Sequence, residues 1–240
     1  MRTIPCSVRG FTLIEMAMVL LIVALLLGGG MSVFSTQIEQ QKFKDTQKLL
    51  DDAREALIGF AAANDRLPCP AAPAATGTES PLGGGACSNA YNGFLPATTL
   101  GMPGVDANGY LLDGWGGRVR YAVTTVSASA TTTTNGLTLA TVPNLSVCGS
   151  ATGITALACG TAPVLTSTAV AIIFSQGPDG LSGVAGGIDE AANQNNDQVF
   201  VSHPPIEPGV AGSNGEFDDL FTWIPSAVLY NRMLQAGRLP

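Results

Sequence analysis

Charge is scarce in this chain. Asp, Glu, Lys and Arg together make up 12% of the residues against 46% apolar ones, and the balance is a net −7. An acidic chain without a basic patch argues against nucleic acid as a partner, because phosphate backbones bind cationic surface. Lysine ends early: Lys42, Lys44 and Lys48 share one short stretch and none follows. His203 is the only histidine. It precedes Pro204 and Pro205 in an expected loop, which reads as a surface side chain and not a general base. No proline interrupts residues 9–67. There is no Cys-x-x-Cys pair, which argues against zinc. Ser182 sits in GLSGV, which does not fit the G-x-S-x-G elbow of a hydrolase. The runs Gly28–Gly30 and Gly83–Gly85 lack the lysine and the strand–helix setting of a phosphate loop. No enzyme is expected.

The 240 residues allow one domain with an extra element, or two small domains. Gly, Ala, Thr, Ser and Asn dominate after residue 48, a composition of exported surface proteins. Five cysteines are present. Cys6 precedes the long apolar run, and Cys69, Cys87, Cys148 and Cys159 follow it, an even set in an exported chain. Three pairings are open. The local one, Cys69–Cys87 with Cys148–Cys159, closes two short loops and is favoured by its lower closure entropy.

Residues 11–30 are apolar or small except Thr12 and Glu15. Twenty helical residues reach ~30 Å, the thickness of a bilayer's hydrocarbon core. Arg2 and Arg9 precede the run and put the N-terminus on the cytoplasmic side. A secretory signal peptide or plain signal anchor is the rival reading, but the run is longer than a usual h-region and no A-x-A-like site follows. Neither accounts for Glu15, since a lone carboxylate in hydrocarbon costs about 2.5–3.5 kcal/mol. A cut between Gly10 and Phe11 would supply the missing partner. The new α-amino group of Phe11, on this chain or a neighbour, lies one helical turn from Glu15, and apolar surroundings strengthen their attraction. Gly28, Gly29 and Gly30 make the weakest point of the helix, either a break where the span ends or a stretch that unwinds as subunits pack.

The short basic leader, Gly10 before the cut, Phe11 after it, and the Thr12, Leu13, Ile14, Glu15 core resemble the signal of type IV pilins and type II secretion pseudopilins. The resemblance implies cleavage by a prepilin peptidase, methylation of Phe11, and assembly with other pilin subunits through Glu15 and the N-terminal helix. It also implies an inner-membrane assembly platform and contact with membrane lipid. LLDGWGGRVRYAV (111–123) resembles the D-P-W-G-N-x-Y segment of major pseudopilins: Asp113, Trp115, Gly116 and Tyr121 match or nearly match, while Gly114 replaces proline and Gly117 replaces asparagine. IIFSQGPDGLSG (172–183) resembles the S-x-G-x-D-G turn that follows there, whose loop can hold calcium. Added cysteine-bearing loops point toward a minor pilin-like protein.

The expected fold is α+β. A long N-terminal transmembrane and stalk helix packs on a small antiparallel β-sheet head, the pilin-like lollipop. The divisions are a leader (1–10), a transmembrane half-helix (11–30), an amphipathic stalk (31–66) and a disulfide-bonded head (67–240). Leu50, Ala53, Leu57, Ala61 and Asn64 repeat at helical spacing, widened by Leu49, Ala56 and Phe60, opposite Asp51, Asp52, Arg54 and Glu55. Strands are expected at 118–126, 137–142, 169–175, 198–202 and 220–223. The threonine tract 131–134 reads as a hairpin tip or exposed loop. A short helix is expected over 226–236, between Pro225 and Gly237. Asp179, Asp189 and Asp197, with Glu190, Asn193, Asn195 and Asn196, gather oxygens for a candidate calcium site, a cation that takes roughly six to eight of them. No other cofactor is expected. The chain is expected in the inner membrane, single-pass, N-terminus cytoplasmic and head periplasmic, before assembly into a pilus or pseudopilus. The alternative is a membrane-anchored periplasmic binding protein with no filament role.

Overall fold

In the computed structural model the described residues are 10–73, 76–181, 186–207, 209–211 and 213–239, without the side chains of 26–35 and 127–128. The leader residues Arg2, Cys6 and Arg9 lie outside them, as does Ser182. The chain divides into two compact units, Met1–Phe43 and Lys44–Pro240. Helix α1, Leu13–Asn64, contributes to both and stays helical across Gly28, Gly29 and Gly30.

In the first unit the large apolar side chains at 11–25 are exposed, among them Phe11, Leu13, Leu21 and Leu25. In the second, α1 buries the expected stripe: Leu50, Ala53, Leu57 and Ala61 are fully enclosed and Ile58 nearly so. Asp51, Asp52 and Glu55 stay in solvent. The helix ends at Asp65, whose φ of 58° places it in the left-handed region that terminates helices. Arg238, near the C-terminus, pairs with Asp65 at 3.2 Å.

The remaining elements are β1 (Gly93–Phe94), α2 (Ala97–Leu100), β2 (Arg120–Val123), α3 (Val126–Ser129), β3 (Leu145–Cys148), β4 (Val164–Ser175), α4 (Ile188–Ala192), β5 (Val199–Val201), β6 (Leu220–Pro225) and α5 (Ser226–Gln235). The sheet runs β1-β2-β4-β3-β5, and β6 pairs with β4. Its pairs are antiparallel except β3–β5. The sheet is therefore mixed, where an antiparallel one was expected. β3 itself was not foreseen.

Its core packs Leu145, Val147, Ile172, Phe174 and Phe200 into one cluster. Phe174 stacks on Phe221 with centroids 4.8 Å apart. Expected strand 118–126 shortens to β2, and α3 begins at Val126. Residues 137–142 form no strand. Thr138 and Thr141 turn the backbone on themselves, Thr138 N–H donating to Thr141 Oγ1 at 3.2 Å, a local bond that competes with strand pairing. Only half of the 131–134 tract is exposed as expected: Thr133 and Thr134 are, but Thr131 and Thr132 are buried. Their hydroxyls donate to Thr124 O and Gly85 O, both at 2.6 Å, and satisfy carbonyls that burial would otherwise orphan.

Candidate functional site

The chemistry begins where α1 starts. Gly10, Phe11 and Thr12 are not helical, so the Gly10–Phe11 peptide lies outside the helix and is exposed. Thr12 and Glu15 then close the first turn reciprocally. Glu15 N–H donates to Thr12 Oγ1 at 3.3 Å, and Thr12 N–H donates to Glu15 Oε2 at 3.2 Å. The Thr12 hydroxyl adds a third bond to the same Oε2, at 3.2 Å. This is a capping box, which satisfies N–H groups that the helix itself leaves orphaned. It was legible as Thr-x-x-Glu ahead of an apolar run, and sequence reasoning passed over it. One oxygen of the puzzling carboxylate thus has two donors within its own chain.

The head holds a second constellation. Asp179 lies in the turn after β4, Glu190 sits in α4 and Asp218 precedes β6, and ligand oxygens from all three lie within 4.8 Å of one another. Glu190 and Asp218 are buried. Backbone groups fix their aim: Asp218 N–H donates to Glu190 Oε1 at 2.9 Å and Gly186 N–H to Oε2 at 2.5 Å. Asp218 Oδ1 is enclosed with no hydrogen-bond partner among the described residues. Gly177, at φ 64°, makes room for it. A Cβ there would stand 2.2 Å from that oxygen.

Burial, with the neighbouring charges of Asp179, Glu190 and Glu216, pushes the Asp218 carboxyl up to about 7. Burial also raises Asp179 and Glu190. Three carboxylates held together at such a cost fit a hard, oxygen-seeking cation such as calcium. Carboxylate oxygens alone do not suit a softer, thiolate- or imidazole-seeking metal.

Of the three aspartates expected as ligands, the structure brings only Asp179 to this cluster. Asp189 instead pairs with His203 at 3.1 Å and accepts from Ala151 N–H at 2.5 Å and Asn214 Nδ2 at 2.9 Å. Asp197 accepts from Val199 N–H at 2.8 Å and so shapes the turn into β5. Asp218 was missed because it lies far along the chain. The Asp218–Asp219 pair ahead of a strand was the available signal. His203 is not the free surface group expected: its ring packs 3.9 Å from that of Phe217.

Cys69 is joined to Cys87 and Cys148 to Cys159. The first loop is anchored by a buried two-pronged ion pair, Arg66 with Glu79, both contacts 2.7 Å. Glu79 also accepts from Cys69 N–H at 3.2 Å and Gly83 N–H at 3.1 Å. Burial pushes the Glu79 carboxyl up, but the Arg66 hydrogen bond and charge, with those N–H groups, outweigh it and hold it below its ordinary range.

Residues 6–31 match the family model of the prokaryotic N-terminal methylation motif. That motif is the prepilin signal of type IV pilins and type II secretion pseudopilins, and the family it marks is structural, not enzymatic. The chain therefore carries at its N-terminus the motif that marks pilin- and pseudopilin-like subunits. No curated protein and no solved structure matches the chain. Among the described residues no helix is long and apolar enough to cross a membrane.

Proposed function

We propose that this chain is a minor pilin or pseudopilin of a type IV pilus or type II secretion pseudopilus. A prepilin peptidase cuts between Gly10 and Phe11, Phe11 is methylated, and other pilin subunits join it through the N-terminal helix. Residues 11–30 anchor it in the inner membrane in contact with lipid, N-terminus cytoplasmic and residues 67–240 periplasmic, until the assembly platform extracts it. The head's two disulfide loops support the minor-subunit reading. The observation that carries the whole is the junction: an exposed non-helical Gly10–Phe11 peptide, a Thr12–Glu15 box, then an apolar helix with its side chains uncovered.

Uncovered apolar surface of that length needs lipid or neighbouring helices. Mass spectrometry of the mature protein tests the reading. An N-methylated Phe11 terminus is expected. A retained leader, or a cut near Gly30, would favour the membrane-anchored binding protein instead.

The Asp179, Glu190 and Asp218 cluster is the proposed calcium site. Those three carboxylates would hold the ion, which supplies the positive charge they lack and ties the turn after β4 to α4 and to the start of β6.

A further inference from the structure

A separate cleft of about 490 Å³ lies beside the turn after β4, lined by Phe94, Arg118, Arg120, Gln176 and Leu181 among others. Two guanidiniums on one cleft reverse the sign of a chain whose net charge is −7. The two are not equivalent. Arg118 is neutralised, its Nε and Nη2 donating to Asp106 Oδ2 at 3.2 and 3.0 Å.

Arg120 has no carboxylate in ion-pairing range among the described residues. Its Nη2 donates to Asn92 Oδ1, its Nε is enclosed without a partner, and its face rests 4.7 Å from the centroid of Phe94. Asp219 attracts it from farther off. Burial pushes that carboxyl well above the usual range, which makes it a poor counter-ion, and burial also lowers the pKa of Arg120 itself. Arg66 shows what a buried guanidinium looks like when satisfied: two contacts of 2.7 Å to one carboxylate. Gln176, on the same cleft, has a side-chain amide with no hydrogen bond among the described residues.

We propose that this cleft is a carboxylate-binding site, with Arg120 and Gln176 as donors and Arg118 at its edge. A planar guanidinium matches a carboxylate's two oxygens. Asp106 lines the same cleft, so a monoanion is repelled less than a phosphate dianion. Phe94 and Leu181 offer apolar surface to the carbon stem that a carboxylate carries. The carboxylate has two candidate sources. One is a free organic acid. The other is a second copy of this chain, whose Asp51 and Asp52 are exposed on α1 and unpaired among the described residues. That second source rests on the filament reading above.

The test uses the full chain in detergent micelles with ¹⁵N-labelled arginine. The Arg120 Nε–H resonance is identified by its absence from Arg120→Lys. Sodium acetate is titrated against sodium chloride at equal ionic strength. Acetate is expected to displace that resonance saturably, chloride is not, and the Arg66 resonance should stay still. Gln176→Ala should weaken the acetate response about tenfold. If acetate and chloride produce the same unsaturable drift, the site does not exist.

A second arm raises the protein concentration without acetate. The same displacement, abolished in Asp51→Asn/Asp52→Asn, supports the site with a second copy as its source. No displacement alongside a saturable acetate response supports the site with a free acid. The acetate arm stands whether or not the chain forms filaments.

Discussion

Thr12 and Glu15 each accept the other's backbone N–H, at 3.3 and 3.2 Å, so the residue whose charge looks out of place in an apolar helix is also one that caps it. The local job of Glu15 is done by its oxygen and is separable from the assembly role that we propose for its charge.

Glu15→Gln separates them. Glutamine can still reach back to Thr12 N–H, so the helix start should survive, read as unchanged hydrogen-exchange protection in the first turn. Incorporation into filaments should fall sharply, because the charge is gone. Thr12→Val should do the reverse, weakening the cap by about 1 kcal/mol while leaving the carboxylate in place. Normal filament yield from Glu15→Gln would remove the assembly role.

Calcium should raise the melting temperature of the wild-type chain measured by calorimetry. Asp218→Asn should abolish that rise. In metal-free buffer the same variant should be at least as stable as the wild type, because it removes a buried carboxylate that its neighbours repel. A melting temperature indifferent to calcium would remove the site.

Gly177→Ala probes the same place through the backbone. The left-handed φ of 64° and the 2.2 Å approach to Asp218 Oδ1 both oppose a Cβ. Strain alone should cost about 1–2 kcal/mol, and the displaced Asp218 should lose its calcium response. Denaturant titration with and without calcium reads both effects. Wild-type behaviour would mean that Gly177 does not shape the cluster.

Glu79→Gln should destabilise the head by about 3 kcal/mol at neutral pH, since it leaves Arg66 buried and unpaired. The pH dependence follows from the lowered carboxyl. Its contribution is present above the ordinary value of 4.5 and disappears as pH falls through the lower folded value. Unfolding curves from pH 7 down through that range should show an acid loss in the wild type that is smaller in the variant. Equal acid loss in both would show that Glu79 is not its source.

Local rules were enough for a good part of this protein. The 3.6-residue repeat and the proline-free stretch to residue 67 marked the helix, and Leu50, Ala53, Leu57 and Ala61 face inward as their spacing required. Pro225 and Gly237 bracketed α5 to within a residue or so. Runs of Val, Ile, Thr and aromatics located β5, β6 and the second part of β4, and the prepilin signal is contiguous, so one short window contains all of it.

What joins distant stretches was decided only by tertiary structure. Closure entropy favoured one of three cysteine pairings, and the fold is what closes it, Cys69 to Cys87 and Cys148 to Cys159. The fold placed β3 beside β5 in parallel, buried Thr131 and Thr132, and brought Asp218 to Asp179 and Glu190 at the acidic cluster while leaving Asp189 and Asp197 outside it. The physical reason is common to all of these. Spacing along the chain specifies which way a side chain points within one helix or strand. Burial, counter-charge and ligand geometry depend on which elements meet, and those meetings come from packing between segments with no shared period.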